Sequence, residues 1–135
     1  MGSPYDPALH GEYKGDPSLI AEWKKYADAC QKHGTPGIVQ ICHPGRQSFR
    51  GAGRRGLFAQ TIAPSAVPIN IGSGILERIV AAVAWTPPKE MTRTDIERVI
   101  RQFVDTARLM ADAGFSGVQL HAAHGYLMGT QSSSA

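Results

Sequence analysis

Apolar residues recur at spacings of three and four in two stretches of the chain, and this period predicts two amphipathic helices. Asp16 and Pro17 are typical of the start of the first helix, and Gly34 is typical of its end. The second helix is expected to begin at a capping box formed by Thr94 and Glu97. The apolar positions are Leu19, Ile20, Trp23, Ala27 and Cys30 in the first helix and Ile96, Val99, Ile100, Phe103, Ala107, Met110 and Ala111 in the second.

A short apolar run follows each predicted helix, and both runs end at a histidine. Residues 37–42 lead to His43, and residues 117–120 lead to His121. Both runs are short and rich in apolar residues, which predicts buried strands. The order helix, strand, helix, strand predicts parallel strands joined by right-handed crossovers, and therefore an α/β fold. Ligands in such folds bind at the carboxyl ends of the strands, where both histidines are placed.

Each predicted strand also carries one glutamine among apolar residues, Gln40 in the first and Gln119 in the second. A buried amide without a hydrogen-bond partner costs free energy. We therefore expect each of these side chains to bind another side chain or a ligand.

The stretch between the predicted elements, residues 46–89, shows no sustained period and contains several Gly and Pro. Its one apolar patch, from Ile75 to Trp85, predicts a helical turn or a hairpin. A loop of this length is either functional or a sign that an element has been missed. Residues 51–56 match the letters GxGxxG, but no predicted strand precedes them and no predicted helix follows. A flexible loop is the preferred interpretation over a dinucleotide site.

Composition and charge narrow the class of protein. With 135 residues and 42% hydrophobic content, the chain is expected to be one domain or a piece of a larger one. The net charge is +3, but Lys and Arg are not clustered as nucleic-acid binding requires. No apolar run is long enough to predict a membrane helix. Cys30 and Cys42 lie in apolar segments without CxxC spacing. We expect buried free thiols, a reducing compartment and a cytoplasmic protein.

Three ionisable side chains follow the second predicted strand within six residues: His121, His124 and Tyr126. These groups at a strand end are suited to holding an oxygen atom and moving a proton. Three alternatives stay open on the residues alone. The histidines could ligate a metal, although no third ligand has a sensible spacing, or they could form ordinary structural hydrogen bonds. The tyrosine could be a half-buried core residue.

Four blocks of the sequence resemble the Old Yellow Enzyme family of FMN-dependent ene-reductases and NADH:flavin oxidoreductases, which are (β/α)8 barrels. The blocks are residues 39–47 (VQICHPGRQ), 63–68 (APSAVP), 88–96 (PKEMTRTDI) and 113–127 (AGFSGVQLHAAHGYL). They occur in the order of the family and extend over about three quarters of the chain.

The resemblance implies a role for several residues. Residues 37–42 and 117–121 would be the third and fourth strands of the barrel, and Gln40 would bind the pyrimidine edge of FMN. His121 and His124 would hold the carbonyl oxygen of an α,β-unsaturated carbonyl substrate, and Tyr126 would donate the proton. NAD(P)H would be the reductant, with hydride passing from flavin N5 to the substrate. His43 and Arg46 belong to the first block, where they either contact the flavin or brace the end of the strand.

The chain also departs from the family. A (β/α)8 barrel needs about 250 residues, so a partial, incomplete barrel is expected. The family's first strand and most of its second have no match in this sequence. A later arginine near the flavin and the phosphate-binding loops of the seventh and eighth strands have no match either. Residues 1–127 are expected to be a segment of the barrel domain, and 128–135 a divergent, disordered tail. The alternative function is therefore a non-catalytic, truncated fragment or pseudo-enzyme without a complete FMN site, and the oligomeric state stays open.

Overall fold

The computed structural model describes residues 15–52 and 56–132, which fall into two compact units. Of the described residues, those up to Ile41 and Ile96–Leu120 form the first unit, and those between Cys42 and Asp95 and from His121 onward form the second. In chain order the elements are α1 (Pro17–Gln31), β1 (Ile38–Ile41), a 3-10 turn (Gly45–Gln47), β2 (Ile62–Ala63), α2 (Ile75–Ala84), β3 (Lys89–Glu90), α3 (Arg93–Asp112), β4 (Gly117–Leu120) and α4 (Leu127–Ser132).

Helix α1 begins and ends where the sequence predicts. The Asp16 carboxylate accepts a hydrogen bond from the backbone N–H of Ser18 at 2.9 Å, which satisfies a donor that has no partner inside the helix. Pro17 occupies the first helical position, where its missing N–H costs nothing. Gly34 follows the end of the helix with a φ of +81°, a conformation that glycine adopts without strain.

The core of the first unit forms between the apolar faces of α1 and α3. Leu109 and Met110 are fully buried, and partly buried apolar side chains pack against them. These side chains are Leu19, Ile20, Trp23, Val39 and Phe115. Trp23 meets Phe115 edge to face, with ring centroids 6.3 Å apart. The expectation of two buried thiols is wrong, because Cys30 lies exposed on α1 and Cys42 is only half-buried.

Strands β1 and β4 pair in parallel, with Gln40 opposite Gln119 and Ile41 opposite Leu120. The predicted parallel α/β order is confirmed. The predicted burial is not, since Ile38 is 66% exposed and Leu120 49% exposed, and only Ile41 of β1 is buried. The reason is that β1 and β4 form a sheet of two strands among the described residues. A sheet this small is not buried on both faces, so the side chains on its strands remain partly exposed.

The long stretch 46–89, for which the sequence shows no sustained period, contains a helix and two short strands in the second unit. The apolar patch at Ile75–Ala84 is a helix, α2, and not a hairpin. Its last turn is closed by the backbone N–H of Trp85, which donates to the carbonyl of Ala81 at 2.9 Å. Strands β2 and β3 pair in parallel, with Ile62 opposite Lys89.

The capping box of α3 lies two residues before its predicted position at Thr94 and Glu97. The Thr92 hydroxyl accepts from the backbone N–H of Asp95 at 3.1 Å, and the Asp95 carboxylate accepts from the backbone N–H of Thr92 at 3.0 Å. Lys89 adds an ion pair to Asp95 at 3.3 Å, which favours the earlier box. The hydrogen bonds from Thr92 and the charge of Lys89 hold the pKa of Asp95 below its ordinary value, although burial opposes them.

Helix α4, Leu127–Ser132, covers the first part of the segment for which the sequence predicts disorder, and residues 133–135 lie outside the described part of the chain. The division into a barrel segment and a divergent tail stays a prediction. None of the helices in the described ranges is both long and apolar enough to cross a membrane.

Candidate active site

The loop between β4 and α4, hereafter the His121–Tyr126 loop, brings together the three side chains that the sequence singles out. The ring centroid of His121 lies 5.2 Å from that of His124, and the two imidazoles meet edge to face at 68°. The ring of Tyr126 lies 5.0 Å from His121 on a tilted plane. His121 therefore occupies the centre of a group of three polar rings.

The backbone of the His121–Tyr126 loop turns sharply at His124. This residue has a φ of +57°, and it is the one non-glycine residue with a positive φ in the described part of the chain. Gly125 follows with a φ of +70°. A left-handed conformation costs an L-residue about 1–2 kcal/mol. Strain of this kind is concentrated at functional sites and persists only where surrounding contacts enforce it.

Those contacts come from residues 43–47, hereafter the His43–Gln47 turn. The carbonyl of His43 accepts from the backbone N–H of Leu127 at 3.0 Å, and the side-chain Nε2 of Gln47 donates to the carbonyl of His124 at 2.7 Å. Gly45 has a φ of +56°, and a Cβ at this position would stand 3.2 Å from the backbone N and Cα of Leu127. The turn therefore lies directly against the His121–Tyr126 loop.

His43 braces the turn on which it lies. Its Nδ1 accepts a hydrogen bond from the backbone N–H of Gly45 at 3.1 Å, which leaves Nε2 to carry the proton of the neutral ring. The second residue left open by the resemblance, Arg46, donates to the carbonyl of Val67 at 3.4 Å. Both contacts fit the bracing alternative for these two residues.

The polar groups of the three rings are available to a ligand. His121 and Tyr126 are half-buried and His124 is exposed. In the ranges 15–52 and 56–132, none of these three side chains makes a hydrogen bond to another described residue. Two imidazoles and a phenol that converge without such bonds can donate to a substrate oxygen or transfer a proton. The described residues contain no group of three or more His, Cys, Asp or Glu side chains that could hold a metal ion.

Gln40, the predicted flavin contact, lies on β1 in the first unit. Its Nε2 donates to Oε1 of Gln119 at 2.8 Å, so the two strand glutamines are each other's partners. Both side chains are exposed. This pairing leaves the Gln40 carbonyl and one of its N–H groups, together with the Gln119 amide N–H groups, open to solvent. A flavin pyrimidine edge alternates carbonyl acceptors with an N–H donor, and this donor set fits it.

The GxGxxG match does not lie between a strand and a helix in the described residues. Of the GxGxxG match at 51–56, residues 53–55 lie outside the described part of the chain, and Gly51 lies in a turn that no strand directly precedes.

The sequence predicts no role for Gln47, although this residue ends the first family block. Its contact with His124 joins residues 77 positions apart. A local pattern cannot reveal a contact across that separation.

Comparison with known proteins shows the family. The family model described as NADH:flavin oxidoreductase / NADH oxidase matches residues 6–131. An NADH-dependent flavin oxidoreductase of Talaromyces variabilis is 48% identical over 128 residues, which are 95% of this chain and 31% of that protein. 12-Oxophytodienoate reductase 2 of Arabidopsis thaliana is 34% identical over 110 residues, which are 81% of this chain and 28% of that protein. The chain thus spans a third or less of these relatives.

A solved structure of 2-naphthoyl-CoA reductase with 2-naphthoyl-CoA is also similar to this chain. The TM-score is 0.59 at 29% identity, and the match covers 83% of this chain and 16% of that one. Together with the parallel strands it confirms the α/β class and the expectation of a partial (β/α)8 barrel. FMN with NAD(P)H, as expected, is the cofactor and reductant pair of the matched family. The chain belongs to the NADH:flavin oxidoreductase / NADH oxidase family, which is the Old Yellow Enzyme family of its four sequence blocks.

Proposed function

We propose that this chain forms part of the active site of an FMN-dependent reductase that reduces the C=C bond of α,β-unsaturated carbonyls with NAD(P)H. The observation that supports it best is the group of three rings on the His121–Tyr126 loop, whose polar atoms make no hydrogen bond to another described residue. The substrate is a small molecule, in keeping with the family.

His121 and His124 hold the carbonyl oxygen of the substrate. When the β-carbon accepts a hydride, negative charge develops on this oxygen, and ring N–H donors already in position stabilise it without reorganisation. The edge-to-face arrangement of the imidazoles, with centroids 5.2 Å apart, allows their N–H groups to approach one oxygen from different directions. Removal of one such donor costs about 10²- to 10³-fold in rate in known cases.

Tyr126 donates the proton that completes the reduction at the α-carbon. Its ring lies beside that of His121, with 5.0 Å between the centroids, and is therefore next to a residue that holds the substrate oxygen. Its backbone is fixed because its N–H donates to the carbonyl of Ala123 and its carbonyl accepts from the N–H of Thr130. A positioned general acid contributes about 10²- to 10⁴-fold to the rate.

Gln40 contributes to FMN binding through the open amide groups that it and Gln119 present. When bound and reduced by NAD(P)H, FMN would supply the hydride for the β-carbon of the substrate. The two glutamines would orient the flavin ring system by hydrogen bonds to its pyrimidine edge.

Titration of FMN fluorescence with the purified chain, followed by assays of cyclohexenone reduction by NADH and NADPH, tests the proposal. We expect saturable FMN binding and turnover above that of free FMN. Tyr126→Phe should slow reduction of the alkene far more than reduction of the flavin by NAD(P)H. Tyr26→Phe is the matched control, because Tyr26 lies 65% exposed on α1. Equal effects of Tyr126→Phe on both half-reactions contradict its role as proton donor.

A second candidate function, a non-catalytic polypeptide without a complete FMN site, is favoured by the open sheet in the first unit. β1 and β4 form a two-stranded parallel sheet with large apolar side chains exposed on it, among them Ile38 and Leu120. Such a sheet is marginal in water. Failure of the chain to bind FMN, with a cooperative unfolding transition retained, supports this candidate over the first.

A further inference from the structure

We propose that Gln47 is a positioning residue that holds His124 in its left-handed conformation and thereby sets the arrangement of the three rings. The effect on the reaction rests on the proposed function, because it requires that His124 bind the substrate oxygen. The structural part of the inference rests on contacts within the second unit alone.

The contact between the two residues is short and closely fitted. Nε2 of Gln47 donates to the backbone carbonyl of His124 at 2.7 Å. The same Nε2 atom would lie 3.0 Å from a Cβ added to Gly125, so the amide fills the space that a side chain at 125 would need. Gln47 therefore contacts both residues of the left-handed turn, at φ values of +57° and +70°. A residue with a strained backbone keeps its conformation only while such contacts enforce it.

Gln47 can act as a support because it is itself fixed. Its carbonyl accepts from the indole Nε1 of Trp85 at 3.0 Å, and its backbone N–H donates to the carbonyl of Pro44 at 3.1 Å. The hydroxyl of buried Thr61 donates to the carbonyl of Gly45 at 2.7 Å, which fixes the other end of the same 3-10 turn. A donor on an anchored turn loses little freedom when it binds His124.

The His43–Gln47 turn holds the His121–Tyr126 loop at two points that lie on either side of Tyr126. One is the bond from Gln47 to His124, and the other is the bond from the Leu127 N–H to the His43 carbonyl. Loss of the first bond leaves, of these two hydrogen bonds, the one from the Leu127 N–H, at the α4 end of the loop. His124 can then return to a right-handed conformation, and its ring leaves the position beside His121.

Nuclear magnetic resonance on the isotope-labelled full chain measures this conformation directly. A left-handed residue shows a strong intraresidue Hα–HN Overhauser effect, and neighbouring rings show ring-to-ring effects. In the wild type we expect the first at His124 and the second between His121 and both His124 and Tyr126. Gln47→Met keeps the size of the side chain but removes the donor, and should lower the population of the turn by about two- to tenfold. Gln47→Glu, which accepts but cannot donate, should lower it at least as far.

The matched control is Gln60→Met. Gln60 also donates through Nε2 to a backbone carbonyl of the second unit, that of Pro87 at 3.3 Å, which lies outside the His121–Tyr126 loop. We expect this variant to retain the wild-type signals. Absence of the left-handed signature in the wild type, or its persistence in Gln47→Met, overturns the positioning role. Gly125→Ala provides a second approach, since it places a Cβ against the Gln47 amide and should displace the same bond.

Kinetics separate positioning from a general loss of structure. Gln47→Met should slow oxidation of the bound reduced flavin by cyclohexenone by about two- to tenfold, with no change in flavin reduction by NAD(P)H. Equal losses in both half-reactions overturn the inference. A wild type that shows the left-handed signature, loses it in Gln47→Met and has no cyclohexenone turnover supports the positioning role while contradicting the proposed reaction.

Discussion

Gly45→Ala perturbs the contact by which the His43–Gln47 turn supports the His121–Tyr126 loop. Gly45 has a φ of +56°, and a Cβ there would lie 3.2 Å from two backbone atoms of Leu127. The left-handed conformation costs alanine about 1–2 kcal/mol. The close approach adds about 1–3 kcal/mol, since Leu127 is buried and its backbone cannot move aside as a flexible side chain can. We expect a loss of about 2–5 kcal/mol in the free energy of unfolding.

Two matched glycines in the same unit separate these contributions. Gly51 has a φ of +64°, but its added Cβ would meet only the exposed end of the Leu57 side chain, so Gly51→Ala should cost about 1–2 kcal/mol. Gly56 has no positive φ, and among the described residues, its chain neighbours aside, nothing lies within 4 Å of a Cβ added there, so Gly56→Ala should be neutral or slightly stabilising. The difference between Gly45→Ala and Gly51→Ala is the cost of the contact with Leu127.

Urea unfolding of the second unit, followed by the fluorescence of Trp85 in a Trp23→Phe background, measures these losses. With a slope of about 2 kcal/mol/M, the urea midpoint of Gly45→Ala should fall by roughly 1–2.5 M. The midpoint of Gly51→Ala should fall by about 0.5–1 M, and the midpoint of Gly56→Ala should not fall. If Gly45→Ala and Gly56→Ala unfold at the same midpoint, the turn does not lie against Leu127 as described.

Two further predictions concern Asp95 and Gln40. Because hydrogen bonds from Thr92 hold the pKa of Asp95 below its ordinary value, the stabilisation it provides is present above about pH 4 and is lost as the pH falls further. Asp95→Asn should therefore be less stable than the wild type near neutral pH, with a difference that shrinks in acid unfolding titrations; a difference constant down to about pH 2 contradicts this cause. Gln40→Leu should weaken FMN binding by about two- to tenfold in fluorescence titrations, while the urea midpoint stays nearly unchanged because the side chain is exposed. Unchanged FMN affinity contradicts the role of Gln40.

The sequence predicts best those features that short segments determine. Asp16 and Pro17 define the start of α1 through contacts with residues two and three positions away, and the structure confirms it. The gathering of His121, His124 and Tyr126 follows from their closeness along the chain. The α3 capping box was misplaced because two overlapping Thr-x-x-acid patterns occur, and contact with Lys89 favours the earlier one. Contacts across the fold decide such a choice, and local propensity does not contain them.

Burial was predicted less well than the elements themselves. The apolar runs of β1 and β4 indicate buried strands, yet Ile38 and Leu120 are exposed because the sheet has only two strands among the described residues. Cys30 lies on the predicted apolar face of α1 but is exposed, and it is not among the side chains that pack against Leu109 and Met110. Periodicity predicts which face of an element is apolar, whereas burial depends on which other elements are present to cover it.

The oxidative half-reaction of a His121→Ala variant tests the central claim most directly. Reduced FMN bound to the chain is mixed with cyclohexenone in a stopped-flow instrument, and flavin reduction by NAD(P)H is measured separately. We predict that His121→Ala slows oxidation by cyclohexenone about 10²- to 10³-fold and leaves flavin reduction unchanged. His33→Ala, at an exposed position outside the loop, should match the wild type. Oxidation of the His121→Ala variant at the wild-type rate contradicts the claim that this loop holds the substrate oxygen.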